Sequence, residues 1–197
     1  AQKYGSKWPM TVGLALAGTG LGVQTFISAT TPFALLIPVF MIMGIGMGCT
    51  MAPMTAAVMN AVGPARAGLG SAATNTSREV GGVFGIAFLG TLLTTKLRGS
   101  LISALASAPL TAAQKSAIVA TAGHGRIDPG MLQQLPPVQA EFIRAAFVNS
   151  FMDGFHVTVL VAAGILILAA IIANIWIPSG APRSEMLDLH EAHSREL

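Results

Sequence analysis

Charge is scarce in this sequence. Eleven Lys and Arg and eight Asp and Glu are all that 197 residues hold, 10% of the chain, against about 25% in a soluble domain. So few charges cannot solvate the surface of an ordinary water-soluble domain. Cysteine occurs once, at Cys49, which excludes a disulfide framework and a thiolate metal site. Aromatic residues make up 6%, with one Tyr. The basic residues are scattered singly and have no stacking platform beside them, so the net charge of +3 does not point to nucleic acid. No nucleophile–base constellation appears, and the sequence gives no case for an enzyme, a cofactor or a metal. Two near-motifs fail on spacing. "GIGMG" at 44–48 is not G-x-G-x-x-G and follows no strand, and "HEAH" at 190–193 brings its second His one place too early for H-E-x-x-H.

What the chain has instead is apolar length. It is 53% hydrophobic, with a mean hydropathy of +0.68. A membrane-spanning helix needs about 20 apolar residues. Four stretches qualify: 8–28, 33–60, about 68–96 and 155–177. The expected fold is therefore all-α, a polytopic transmembrane helix bundle whose first partner is the lipid bilayer. Three spans occupy 1–96, a long segment fills 97–154, a last span covers 155–177 and a charged tail runs over 178–197. The chain opens Ala-Gln-Lys-Tyr, almost directly into an apolar run, and reads as a piece of a longer protein.

Orientation follows from Lys and Arg near short loops. Lys3, Lys7 and Arg66 fall on one side, expected to be cytoplasmic, and the tail with Arg183 and Arg195 joins them. The segment 97–154 is then extracytoplasmic. Within it, Thr111 and Gln114 have the spacing of a capping box opening a helix to about Ala122. "GHGRIDPG" at 123–130 is turn material. Val138, Phe142, Phe147 and Phe151 recur at helical spacing. They predict an amphipathic helix, lying at the outer surface or packed on other helices, ahead of the last span.

The third run holds the sharpest feature. Arg78 and Glu79 stand side by side, and Val80 to Thr95 carry no charge. At about 100° per residue, Ser71, Asn75, Arg78, Gly82, Gly85 and Leu89 share a stripe of mostly small or polar residues. Lipid does not favour such a face, but close helix packing does. Arg78 lies about ten residues, roughly 15 Å, past Gly68. Near the bilayer centre an Arg costs at least about 2.5–3.5 kcal/mol. Glu79 cannot offset that charge, because adjacent side chains on a helix do not face each other. Three readings stay open: a guanidinium inside a polar cavity, a pair snorkelling at the cytoplasmic interface, or structural pairing alone.

The second run carries Gly44, Gly46, Gly48 and Pro53. Gly44 and Gly48 form G-x-x-x-G, a close-packing pattern, and Pro53 removes a backbone donor and predicts a kink or hinge. Met41, Met43, Met47, Met51, Met54 and Met59 crowd the same helix. Flexible thioethers fill irregular space and also suit a surface that accepts many apolar shapes. His156 is read as an interfacial residue near the outer mouth of the last span, with a proton relay as the alternative.

"GIGMGCTMAPMTAAVMNAVGPARAGLGSAATNTSREVGGVFGIAFLGT", across two runs, resembles the C-terminal end of a major facilitator superfamily transporter. The likeness is to the fourteen-span drug:proton antiporter branch. That resemblance implies the last four spans of the fold, a plasma-membrane location and a cytoplasmic C-terminus. It also implies export of amphipathic, often cationic, compounds against a proton gradient by alternating access. The family's Arg-x-x-Gly-Gly pattern matches Arg78, Gly81 and Gly82, and its glycine-rich stretch and proline match Gly44, Gly46, Gly48 and Pro53. The N-terminal half, with its proton-binding acids, has no counterpart here and would be a partner in the same chain. Arg78, Glu79 and Asn75 are the candidates for transport or gating. Arg78 is expected to act on gating or coupling, since it repels a cation bound beside it. The alternatives are export of a lipid, a siderophore or a self-made antibiotic, and a non-transporting four-span membrane subunit.

Overall fold

A computed structural model describes residues 7–123, 125–127, 129–133 and 135–177. The tail with "HEAH", Arg183 and Arg195, and Lys3 at the other end, lie outside the described residues. Among those described there is no strand. Six helices follow in order: α1 Lys7–Val23, α2 Phe33–Val62, α3 Ala67–Leu105, α4 Ala112–Ala122, α5 Pro129–Gln133 and α6 Pro137–Trp176. Short 3₁₀ turns at Gln24–Phe26 and Pro64–Arg66 extend α1 and lead into α3. The protein is an all-α polytopic bundle.

Three helical stretches, Phe33–Val62, Pro64–Leu105 and Pro137–Trp176, are long and apolar enough to cross a membrane. α1, with 17 residues, coincides with the first apolar run and reaches 20 residues only with its 3₁₀ turn. Gly63 punctuates α2 and α3. Its φ of 71° lies in the left-handed region that a Cβ disfavours, and Pro64 then sets the first residue of the next turn.

α6 differs from the sequence reading. It runs unbroken from Pro137 to Trp176, so the amphipathic stretch 138–152 and the last apolar run are one helix. No proline falls between Val138 and Trp176, and the change from mixed to apolar composition has no effect on backbone hydrogen bonding. α3 likewise continues past residue 96 to Leu105.

The chain divides into two compact units. The first comprises Ala1–Gly20, Phe40–Gly81 and Gly164–Leu197, and the second Leu21–Val39 and Gly82–Ala163.

In the second unit, Leu101 and Leu105 of α3, Ile118 and Ala122 of α4 and Ile143 and Ala146 of α6 form a buried cluster. Ile127, Met131, Leu132 and Leu135 close around it. α4 opens on the capping box expected at Thr111. The Thr111 hydroxyl accepts from the Gln114 N–H at 3.2 Å, and Gln114 Oε1 accepts from the Thr111 N–H at 2.9 Å. Lys115 Nζ donates to the Ala106 carbonyl at 2.8 Å, just past the C-terminus of α3, where a cation complements the unpaired carbonyls. The packed face of α6 here is Ile143, Ala146, Ser150 and Gly154, all buried. Val138 and Phe142 are exposed. Phe147 and Phe151 of the same stripe are half-buried, and Phe147 packs against the cluster, so the stripe runs from an exposed start onto the packed side.

Candidate functional site

The first unit is held by helices in backbone contact. Gly13 of α1 and Gly46 of α2 are both buried. A Cβ at Gly46 would lie 2.6 Å from the Ala17 nitrogen and 2.6 Å from the Gly13 carbonyl oxygen, and one at Gly13 would lie 2.5 Å from Thr50 Oγ1. Two helices come that close only where neither carries a side chain. Gly20 packs instead against the Met43 side chain, and Gly18 against the Ile167 side chain of α6. Farther along, Gly70 at the start of α3 meets Val62 and Val58 of α2.

This packing frames a groove of about 570 Å³ within the first unit. α2 lines it with Met47, Met51 and Met54, at helical spacing, and with Thr50. Thr74, Ser77 and Arg78 of α3 form a second wall, and Leu14 and Ala17 of α1 and Leu166 of α6 complete it. The Thr50 hydroxyl donates to its own helix at the Gly46 carbonyl, 2.8 Å away, and that of Thr74 to Gly70, also at 2.8 Å. Those back-bonds turn the two threonines into apolar methyl surface with only a lone pair left over. Among the described residues Arg78 has no hydrogen bond and no ion pair. The groove is therefore apolar and deformable, with one charge on its edge.

Of the three transport candidates, only Arg78 reaches the groove. Asn75 and Glu79 are exposed and off its wall. Of the expected packing glycines, Gly46 alone is buried against a neighbour. A Cβ at Gly44, Gly48, Gly81, Gly82 or Gly85 would meet nothing within 4 Å. Pro53 is half-buried, and α2 continues through it. The sequence reading missed Gly13, Gly18 and Gly20 as contact points. The signal was present in "GLALAGTGLG" at 13–22, a run of small residues that lets backbones approach. His156 Nε2 bonds to the Ile27 carbonyl at 2.7 Å, so in the second unit it is a tether between α6 and the chain after α1.

Helices joined glycine to glycine, with a methionine-lined groove between them, define an integral membrane bundle. The chain is 30% identical over 172 residues to the Multidrug resistance protein B homolog of Mycobacterium tuberculosis (strain ATCC 25618 / H37Rv), covering 85% of this chain and 29% of that protein. It is 28% identical over 178 residues to the Puromycin resistance protein pur8 of Streptomyces alboniger, covering 89% and 28%. It is 28% identical over 166 residues to the Multidrug transporter protein MdtP of Bacillus subtilis (strain 168), covering 78% and 31%. The chain thus spans less than a third of the length of these relatives. No family model matches it, and no solved structure does. The chain resembles the multidrug efflux branch of the major facilitator superfamily, as residues 44–91 imply, and is similar to part of each such relative.

Proposed function

We propose that these residues form part of a secondary active transporter that exports amphipathic small molecules from the cell by proton antiport with alternating access. The observation that carries this reading is the groove of the first unit. Its methionines conform to many apolar shapes, and its walls come from four helices rather than one. The similarity to multidrug resistance proteins supports the same reading. Among the described residues no acid lines the groove; in this reading the proton-binding carboxylates and the opposite wall of the path come from an N-terminal half of the same protein. The protein lies in the plasma membrane with Arg66 on the cytoplasmic side and residues 97–154 outside.

The test expresses the complete gene in a bacterium stripped of its own efflux pumps. Cellular accumulation of cationic, neutral and anionic amphipathic dyes is then followed. The expected result is lowered accumulation of at least one dye, restored by a protonophore. Unchanged accumulation of every dye, with the protein present in the membrane, would refute the reading.

A further inference from the structure

We propose that Arg78 sets the charge preference of the groove, so that its cargo is an amphiphile with an anionic head and an apolar body. This deepens the transporter reading and rests on it. Among the described residues Arg78 is the one ionisable side chain on the groove wall. No carboxylate among the described residues pairs with it, and Glu79 is off the wall. The hydroxyl protons of Thr50 and Thr74 are committed to their own helices. Among the described residues the guanidinium is thus the groove's only charged donor, with five N–H groups in a fixed fork that matches a carboxylate, sulfonate or phosphate. Arg78 is itself exposed, on a wall that methionine side chains and threonine methyls make largely apolar, and a charge contact formed against such a wall is stronger than one in open water. A cation with no partner among the described residues favours an anion on two counts: the bound head neutralises it, and its hydrogen-bonding capacity is filled. The same charge repels a cationic head from the same place. The sequence reading used that repulsion to set Arg78 aside as a ligand. That repulsion excludes cations and leaves anions free to bind.

The test compares two dyes with one xanthene ring system, anionic fluorescein and cationic rhodamine 6G. The complete transporter is reconstituted in vesicles under an imposed pH gradient, as wild type, Arg78→Gln and Arg78→Lys. The wild type should move fluorescein with a higher kcat/KM than rhodamine 6G. Arg78→Gln should lower the fluorescein-to-rhodamine ratio about tenfold or more, the discrimination that about 1.4 kcal/mol produces. Arg78→Lys should keep most of the preference as a point charge. Fluorescein binding to the detergent-solubilised protein, read by polarisation, should follow the same order and does not depend on turnover. An unchanged ratio in Arg78→Gln, or an equal fall for both dyes, overturns the proposal while leaving the transporter reading intact. Fluorescein that binds, is displaced by phosphatidylglycerol and is never transported would make the occupant a bilayer lipid and overturn it too. A wild type that moves neither dye nor any other amphiphile sinks the transporter reading, and this one with it.

Discussion

At Gly46 a methyl group has nowhere to go. The atoms it would meet are the backbone nitrogen of Ala17 and the backbone oxygen of Gly13, and backbone atoms inside helices cannot swing aside as a flexible side chain can. At Gly44, two residues away and on the far side of the same helix, the added methyl would face open space. The two substitutions separate two effects that usually mix. Ala is favoured over Gly in a helix by about 0.5–1 kcal/mol, whereas forcing a methyl into a filled contact costs about 1–3 kcal/mol. Gly46→Ala should therefore lower the thermal unfolding temperature of this chain in detergent, and Gly44→Ala should leave it unchanged or raise it. If both behave alike, the α1–α2 contact is not the one described. Gly44→Ala made in the complete protein adds a second reading. A loss there, absent in the isolated chain, would show that other spans cover that face. His156 offers a further residue-scale check. Removing its ring leaves the Ile27 carbonyl, 2.7 Å away, without its donor, and a lost hydrogen bond of this kind costs about 1–3 kcal/mol when the acceptor is buried. His156→Ala should speed amide exchange around residues 24–28 without disturbing α4.

At the scale of elements, α4 is the part most open to local testing. It is short, 11 residues, and isolated helices of that length are marginal in water. It persists because of the Thr111 cap and because Ile118 is fully buried among Leu101, Leu105 and Ile143. Thr111→Ala should cost about 1 kcal/mol and Ile118→Ala about 2–5 kcal/mol. Both should appear first as faster amide hydrogen exchange in α4, with the apolar helices still protected. Equal loss across α2 and α4 would mean that the cluster is not a separable unit. The sequence disclosed this helix almost to the residue, because a capping box is a local signal carried by Thr111 and Gln114 alone. It did not disclose that α6 is continuous, since a helix needs no change of course when its composition changes. Nor could it tell which glycines make contact. G-x-x-x-G at Gly44 and Gly48 and the buried Gly46 lie on different faces of one helix, and the choice between faces belongs to the partner helix. The stripe through Asn75, Arg78 and Gly82 was legible for the same limited reason. Periodicity puts residues on a common side, but only Arg78 of that set lines the groove described here.

For the molecule as a whole, the physical question is which water phase each loop meets. α3 and α6, with 39 and 40 residues, are about 58–60 Å long at 1.5 Å per residue, roughly twice the hydrocarbon thickness of a bilayer. Each must therefore run well into water or headgroups at one end. The buried cluster of Leu101, Leu105, Ile118 and Ile143 gives their shared end a reason to be structured there. The proposed orientation can be tested at two exposed basic residues: Arg66, in the short turn between α2 and α3, and Arg126, between α4 and α5. Short loops rich in Lys and Arg stay in the cytoplasm, whereas long segments cross regardless of charge. Cys49, the single cysteine and exposed, must first be replaced by Cys49→Ser in the complete transporter. On that background, Arg126→Cys should react with a membrane-impermeant maleimide added to intact cells. Arg66→Cys should react only once the cells are permeabilised. The reverse pattern would invert the topology and place the charged turn outside. Labelling of both positions in intact cells would mean that no bilayer separates them, which would remove the membrane-spanning reading of α3 on which the placement of Arg78 rests.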